Sequence, residues 1–135
     1  MTQEDKKVAL LSGDGIGPEV IRESVKVLDI LSINSDVNFS YFDAFIGAEA
    51  IDKYGSPFPD KTKDICDNCD AILFGAIGDP KYDNNPKAKI RPEDGLLAMR
   101  KHLGLYANIR PVKVYDSLVN SSPLKPSILK NTDFI

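Results

Sequence analysis

The sequence predicts an α/β protein with a largely parallel sheet flanked by helices, and three observations carry that expectation. Short apolar runs rich in β-forming residues end at glycines in "KVALLSG" and "AILFG", as buried strands do. Between them lie stretches whose apolar residues return at helical spacing. The resulting order up to Ala76, β-α-β-α-α-β, requires crossover connections, and crossovers join parallel strands.

The first strand is read from Val8 to Leu11. The helix after it covers "PEVIRESVKVLDIL", where Val20, Ile21, Val25, Val27, Leu28 and Leu31 supply the apolar positions. Pro18 stands in the first turn, where a missing N–H costs the helix nothing. "VNFSYFDAF" tends to period two and carries aromatics, which makes it the second strand. "GAEAIDKYG" gives a short helix closed by Gly55, and a helix around "DKTKDICDNC" leads into a third strand at "AILFG".

From Ala76 to Pro92 the chain turns to glycine, proline, asparagine and lysine, the composition of a long loop leaving a strand end. Sheets of this kind bind ligands beyond the carboxyl ends of their strands. "EDGLLAMRKHLG" reads as a helix, and "YANIRPVKVYD" as an extended segment that Pro111 keeps from being a central strand. The closing "NTDFI" reads as the opening of another strand, which leads us to expect that these residues are the N-terminal portion of a larger protein.

Composition narrows the function classes. A chain that is 42% hydrophobic and 27% charged has the balance of a soluble globular protein, and 135 residues suffice for one core. The first seven residues are polar or charged apart from Met1 and no long apolar run follows, so the expectation is a cytoplasmic protein with neither signal peptide nor membrane span. A formal charge of -3 gives no electrostatic reason to expect nucleic acid as a partner. A small acidic ligand is compatible with it, because such a ligand needs only a few positive groups in a cleft.

Cys66 and Cys69 form a lone CxxC. With no second cysteine pair and His102 as the only histidine, cysteine and histidine cannot assemble a four-ligand zinc set. The pair also falls near the end of a helix, away from the N-terminus that lowers a thiol pKa. Free, buried or partly buried thiols are expected.

Gly13, Gly15 and Gly17 stand at alternating positions in "LLSGDGIGPEV". The pattern is GxGxGP rather than the GxGxxG of the usual dinucleotide fingerprint, since Pro18 takes the place of the last glycine. Asp43 lies too far along to serve as the matching ribose-binding acid. Two readings of the turn stay open: a tight link into a helix, or a backbone surface that approaches a ligand.

In "RPEDGLLAMRKHLG", Glu93, Leu96, Leu97 and Arg100 share one broad helical face, with Ala98, Met99 and His102 on the other side. A structural reading puts the two leucines in the core and the charges at its edges. A functional reading has the leucines meet an aliphatic part of a substrate while Arg100 grips a carboxylate through paired hydrogen bonds. Arg110, on the extended segment, offers a second guanidinium for a dicarboxylate. His102 is read as a packing or surface histidine, and Lys81, Lys87 and Lys89 as solvated loop charges among Asp79 and Asp83.

Four stretches, "GDGIGPEV", "FGAIGDPKYD", "IRPEDGLLAMRKHLGLYANIRPVKVY" and "SPLKP", closely resemble the N-terminal part of the isocitrate/isopropylmalate (β-decarboxylating) dehydrogenase family, on its isopropylmalate side. GDGIGP alone marks only the wider family; its combination with RPEDGLLAMR and NIRP is far more specific. The resemblance implies a fold that does not use the usual Rossmann arrangement, in a discontinuous two-domain subunit. Residues 1–104 would form the N-terminal part of the first domain, and residues 105–135 the start of the second.

The implied activity of the whole protein is NAD-dependent oxidative decarboxylation of (2R,3S)-3-isopropylmalate to 4-methyl-2-oxopentanoate in leucine biosynthesis. Bound Mg²⁺ or Mn²⁺ would polarise the hydroxyl oxygen and stabilise the enolate, and the enzyme would be a homodimer. Relatives acting on another alkylmalate, on isocitrate or on tartrate remain alternatives, as does a catalytically inactive structural fragment. By resemblance Arg100 and Arg110 match substrate-carboxylate arginines, Leu96 matches a leucine facing the isopropyl group with Leu97 beside it, and Glu93 matches an acid that positions substrate and nicotinamide. Ile16, Gly78 and Asp79 match cofactor-side positions, with Asp79 standing where a glycine is common. The proton-transfer tyrosine and lysine, the metal-binding aspartates and the third arginine would lie beyond Ile135 or in a partner subunit. No catalytic or metal-binding residue is therefore expected among these 135, and Tyr106 and Lys101 match neither role.

Overall fold

The computed structural model describes residues 4–83 and 88–135. They fall into two compact units, Met1–Gly104 and Leu105–Ile135. The first unit carries β1 (Glu4–Gly13), α1 (Gly17–Ile33), β2 (Val37–Asp43), α2 (Ala48–Tyr54), α3 (Asp60–Asp67), β3 (Ala71–Ala76), α4 (Pro80–Asp83) and α5 (Pro92–His102). Its sheet has the order β2-β1-β3 and both pairings are parallel, as the crossover pattern predicts.

β1 takes the centre because it is apolar on both faces. Val8 and Leu10 pack with Ile21 of α1 on one side, and Ala9 and Leu11 pack with Ile46, Phe58, Cys66 and Met99 on the other. The strand is longer than Val8–Leu11. Its charged start escapes an apolar criterion, yet Glu4 to Lys7 pair in register with Val37 to Ser40 of β2. The Asp5 carboxylate accepts hydrogen bonds from Asn38 Nδ2 at 2.9 Å and Ser40 Oγ at 3.0 Å, so polar cross-strand pairs do there what burial does further along.

Only part of the apolar set on α1 is covered. Ile21 is buried and Val25 and Leu28 are half-buried, whereas Val20, Val27 and Leu31 are exposed. α2 ends as the sequence predicts: Gly55, at φ 71°, donates its N–H to the Ile51 carbonyl at 2.8 Å. Within α3, Thr62 is buried and its hydroxyl donates to the Phe45 carbonyl at 2.7 Å. Cys66 is buried, Cys69 is half-buried, and both are free thiols as expected. Burial pushes the Cys66 thiol up to about 11.

The segment from Ala76 to Pro92, expected as a plain loop, contains the single turn α4. Asp79 Oδ1 accepts the Lys81 N–H at 2.9 Å, which starts that turn. The Lys81 ammonium and the Tyr82 hydroxyl then both reach Asp52 on α2, at 2.6 and 3.1 Å. Lys81 is thus a paired surface charge rather than a freely solvated one. Lys89 is exposed, and Lys87 lies outside the described residues.

The second unit is described by itself. β4 (Val112–Lys113) pairs antiparallel with β5 (Asp133–Phe134), and between them run a 3₁₀ helix (Asp116–Ser121) and α6 (Pro126–Leu129). Both extended segments read from the sequence are present, as two-residue strands. Among the described residues, no helix is long and apolar enough to cross a membrane.

Candidate functional site

The site grows from the shared end of β1 and β3. Being parallel neighbours, the two strands release their following loops at the same edge of the sheet, the glycine turn after Gly13 and the Ile77–Asp79 segment after Ala76. Asp14 donates its N–H to the Ala76 carbonyl at 2.7 Å, so the turn is tied to β3 as soon as it leaves β1.

This close approach, not a ligand, dictates two of the glycines. A Cβ on Gly13 would run into the Ala76 carbonyl, and one on Gly17 would stand 2.9 Å from the Ala76 nitrogen and collide with the Ser12 carbonyl. Gly13 also sits at φ 70°, where a side chain is strained. Gly15 is different. It is exposed, and a Cβ there would meet only the Gly78 carbonyl, at 4.0 Å. Gly13 and Gly17 thus serve packing, and Gly15 faces open space beside Gly78.

Ile16 closes the turn with its side chain 68% exposed, while its carbonyl accepts the Val20 N–H at 3.1 Å and opens α1. Gly78 and Asp79 follow β3. A Cβ on Gly78 would stand 3.3 Å from Glu93 Oε1, so the Glu93 carboxylate lies over the Gly78 backbone. Gly78 and Glu93, two positions expected on the cofactor side and named apart in the sequence, meet here, with Gly15, the neighbour of Ile16, beside them.

Glu93 owes its place to α5. Pro92 occupies the first helical position, and Asp94 Oδ2 accepts the Arg91 N–H at 2.8 Å, which satisfies a donor at the helix start. Pro92, Gly95, Leu96, Met99 and Leu103 turn inward at spacings of three and four. Gly95 is required where the helix meets the Pro57 backbone, whose carbonyl would lie 2.6 Å from an added Cβ. The face read from the sequence is consequently split. Leu96 is half-buried against the core cluster, Leu97 is 62% exposed, and Ala98, assigned to packing, is exposed as well.

Arg100 is exposed two turns beyond Glu93. Among the described residues, neither its side chain nor that of Glu93 has a hydrogen-bond or ion-pair partner. Arg110 belongs to the second unit, where its Nε donates to Asn108 Oδ1 at 3.3 Å. His102 is paired at the surface, with Nε2 2.9 Å from Asp67 Oδ1 and its ring edge-on to Phe58 at 5.9 Å.

One residue of this region lies within the GDGIGP stretch but has no role assigned from the sequence. Asp14 is buried, and its carboxylate accepts the N–H groups of Ala48 at 2.9 Å, Glu49 at 3.2 Å and Gly78 at 3.2 Å. The N-cap position before α2 is Gly47, which has no side chain of its own to cap the helix, and Asp14 supplies the cap to Ala48 from 34 residues upstream. Gly47 is glycine for the same reason. It has φ 80°, and a Cβ would stand 2.9 Å from Asp14 Cγ.

A metal finds less here. Among the described residues, no group of three or more His, Cys, Asp and Glu side chains is placed to hold an ion.

Residues 7–135 match the family model described as isocitrate/isopropylmalate dehydrogenase. The chain is 53% identical over 133 residues to the 3-isopropylmalate dehydrogenase of Bacteroides fragilis (strain YCH46), covering 97% of this chain and 37% of that protein. It is 54% identical over 129 residues to the 3-isopropylmalate dehydrogenase of Aquifex aeolicus, with 96% and 35% covered. Among solved structures, the apo form of a β-decarboxylating dehydrogenase from Thermococcus kodakarensis superposes with a TM-score of 0.60 at 35% identity, over 81% of this chain and 30% of that one. The chain thus spans little more than a third of the length of the curated relatives it matches.

Proposed function

We propose, because this chain belongs to the isocitrate/isopropylmalate dehydrogenase family, that the whole protein carries out NAD-dependent oxidative decarboxylation of (2R,3S)-3-isopropylmalate. The observation that carries this reading is the construction of α5. The helix buries Met99 in the core and turns Glu93, Leu97 and Arg100 to solvent, with the Glu93 carboxylate over Gly78 at the strand ends. Such a surface offers an anion-binding group and an aliphatic contact on one rigid element, which suits a branched dicarboxylate.

In this reading Arg100 and Arg110 hold substrate carboxylates, and Leu96 and Leu97 meet the isopropyl group. Ile16, Gly78, Asp79 and Glu93 border the nicotinamide cofactor. NAD held there would supply the hydride acceptor for oxidation at the hydroxyl carbon; loss of the β-carboxylate as CO₂ would leave an enolate, whose protonation gives 4-methyl-2-oxopentanoate. Glu93 keeps substrate and cofactor in register at the Gly78 backbone, and Arg100 fixes the orientation of the carbon that loses hydride.

By family membership, the Mg²⁺ or Mn²⁺ ligands and the proton-transfer groups are assigned to residues other than those of this chain. Residues 1–104 are taken as part of a discontinuous first domain and residues 105–135 as the start of a second, in a homodimer acting in leucine biosynthesis. The test is NAD-dependent turnover by the full-length protein with isopropylmalate and with isocitrate. We expect a clear preference for isopropylmalate, and a preference for isocitrate would reject the assignment.

A further inference from the structure

We infer that Asp14 is a positioning residue for the cofactor side of the site, acting through the Gly78 backbone and the start of α2. The inference rests on the reading of Gly78 and Glu93 given above. Its physical basis is a residue only 7% exposed whose carboxylate accepts from backbone donors of two distant segments. Ala48 and Glu49 come from the start of α2, and Gly78, 64 residues downstream, from the loop after β3.

Each of those segments lacks a local anchor at this point. α2 is preceded by a glycine that offers no cap. Gly78 is at φ 133° and follows the last residue of β3 by two positions, beyond the sheet ladder. One buried acceptor fixes both, and Asp14 is itself held by its N–H to the Ala76 carbonyl at 2.7 Å. The Glu93 carboxylate lies over the same Gly78 backbone. Displacing Gly78 therefore moves the surface against which Glu93 sets the cofactor, while the outward groups of α5 keep their helix.

Asparagine at position 14 keeps the size and loses one acceptor, and its NH₂ would face an N–H donor. In the full-length protein we expect Asp14→Asn to raise KM for NAD by about tenfold or more, with KM for isopropylmalate changed less than about twofold. Amide exchange at Gly78 should accelerate by a similar factor while exchange in β1 stays the same. Unchanged KM for NAD, or equal changes in both KM values, would overturn the inference. If the wild-type protein proves not to oxidise isopropylmalate with NAD, the functional reading fails, and the Gly78 exchange ratio alone decides this one. Should the variant not fold, wild-type exchange decides: slow exchange at Gly78 supports the tie, and exchange at the rate of an open loop removes it.

Discussion

Gly75 of β3 meets Gly17 of α1 backbone to backbone: a Cβ on Gly75 would stand 3.0 Å from Gly17 Cα and would collide with the Ser12 carbonyl. The spacing of the N-terminal glycines is thus set largely by a strand and a helix start that cross without side chains between them.

Replacing Gly75 by alanine should destabilise the full-length protein by about 1–3 kcal/mol, since the obstructing atoms are backbone and have little room to yield. Thermal unfolding of the variant measures this. A melting temperature equal to that of the wild type would show that the crossing is looser than described.

Leu96 and Leu97 should behave differently although they are adjacent. Leu96→Ala removes a half-buried side chain from the core cluster and should cost about 2 kcal/mol of stability as well as isopropylmalate preference. Leu97→Ala, on an exposed residue, should stay within about 0.5 kcal/mol of wild-type stability. Its effect should be seen in kcat/KM, where losing an aliphatic contact lowers preference for isopropylmalate over isocitrate by about tenfold. Denaturant melts and competitive kinetics separate the two, and equal stability losses would contradict the split face of α5.

Arg100→Ala should lower kcat/KM for isopropylmalate on the order of 100-fold without a comparable loss of stability, because the side chain is exposed and the pair removed is the one proposed with a substrate carboxylate. Arg100→Lys should recover only a fraction, since an ammonium cannot reproduce the planar paired contact. Wild-type kinetics in a folded Arg100→Ala variant would take this residue out of the site.

Burial raises the Cys66 pKa to about 11 from an ordinary thiol value of 9.0, so the thiol stays neutral and unreactive at pH 7. The sign of the linkage follows. A group whose folded pKa is raised supports the folded state fully below its unfolded value, and that support is lost as pH climbs through the window from 9.0 toward about 11. Alkylation followed by mass spectrometry should find Cys66 modified only slowly at neutral pH and increasingly fast across that window. Rapid labelling at pH 7 in the folded protein would refute its burial.

What could be read from the sequence was local or periodic. The parallel direction of the strands follows from alternating runs and the need for crossovers, and Gly55 announces the end of α2 because a left-handed cap is a one-residue signal. The charged start of β1 was missed because its stabilisation lies across the ladder, in Asp5 with Asn38 and Ser40, rather than in its own hydrophobicity. Asp14 was missed for a related reason: its role is defined by Ala48 and Gly78, and neither spacing is periodic. Lys81 looked like a loop charge until folding brought Asp52 of α2 within 2.6 Å. Of the site, the residue types on α5 were legible, whereas the division between Leu96 and Leu97 depends on where Gly95 seats the helix against Pro57.

The central position of β1 also constrains how the protein is made. One edge of β1 is completed only by β3, and Lys7 pairs with Asp70 across 63 residues. At a synthesis rate of about 5–20 residues per second, a ribosome needs roughly 3 to 13 seconds to deliver that partner. Throughout that interval the apolar run Val8 to Leu11, whose side chains end up in the core, has an open flank, which is the period when chaperone capture of this segment matters most.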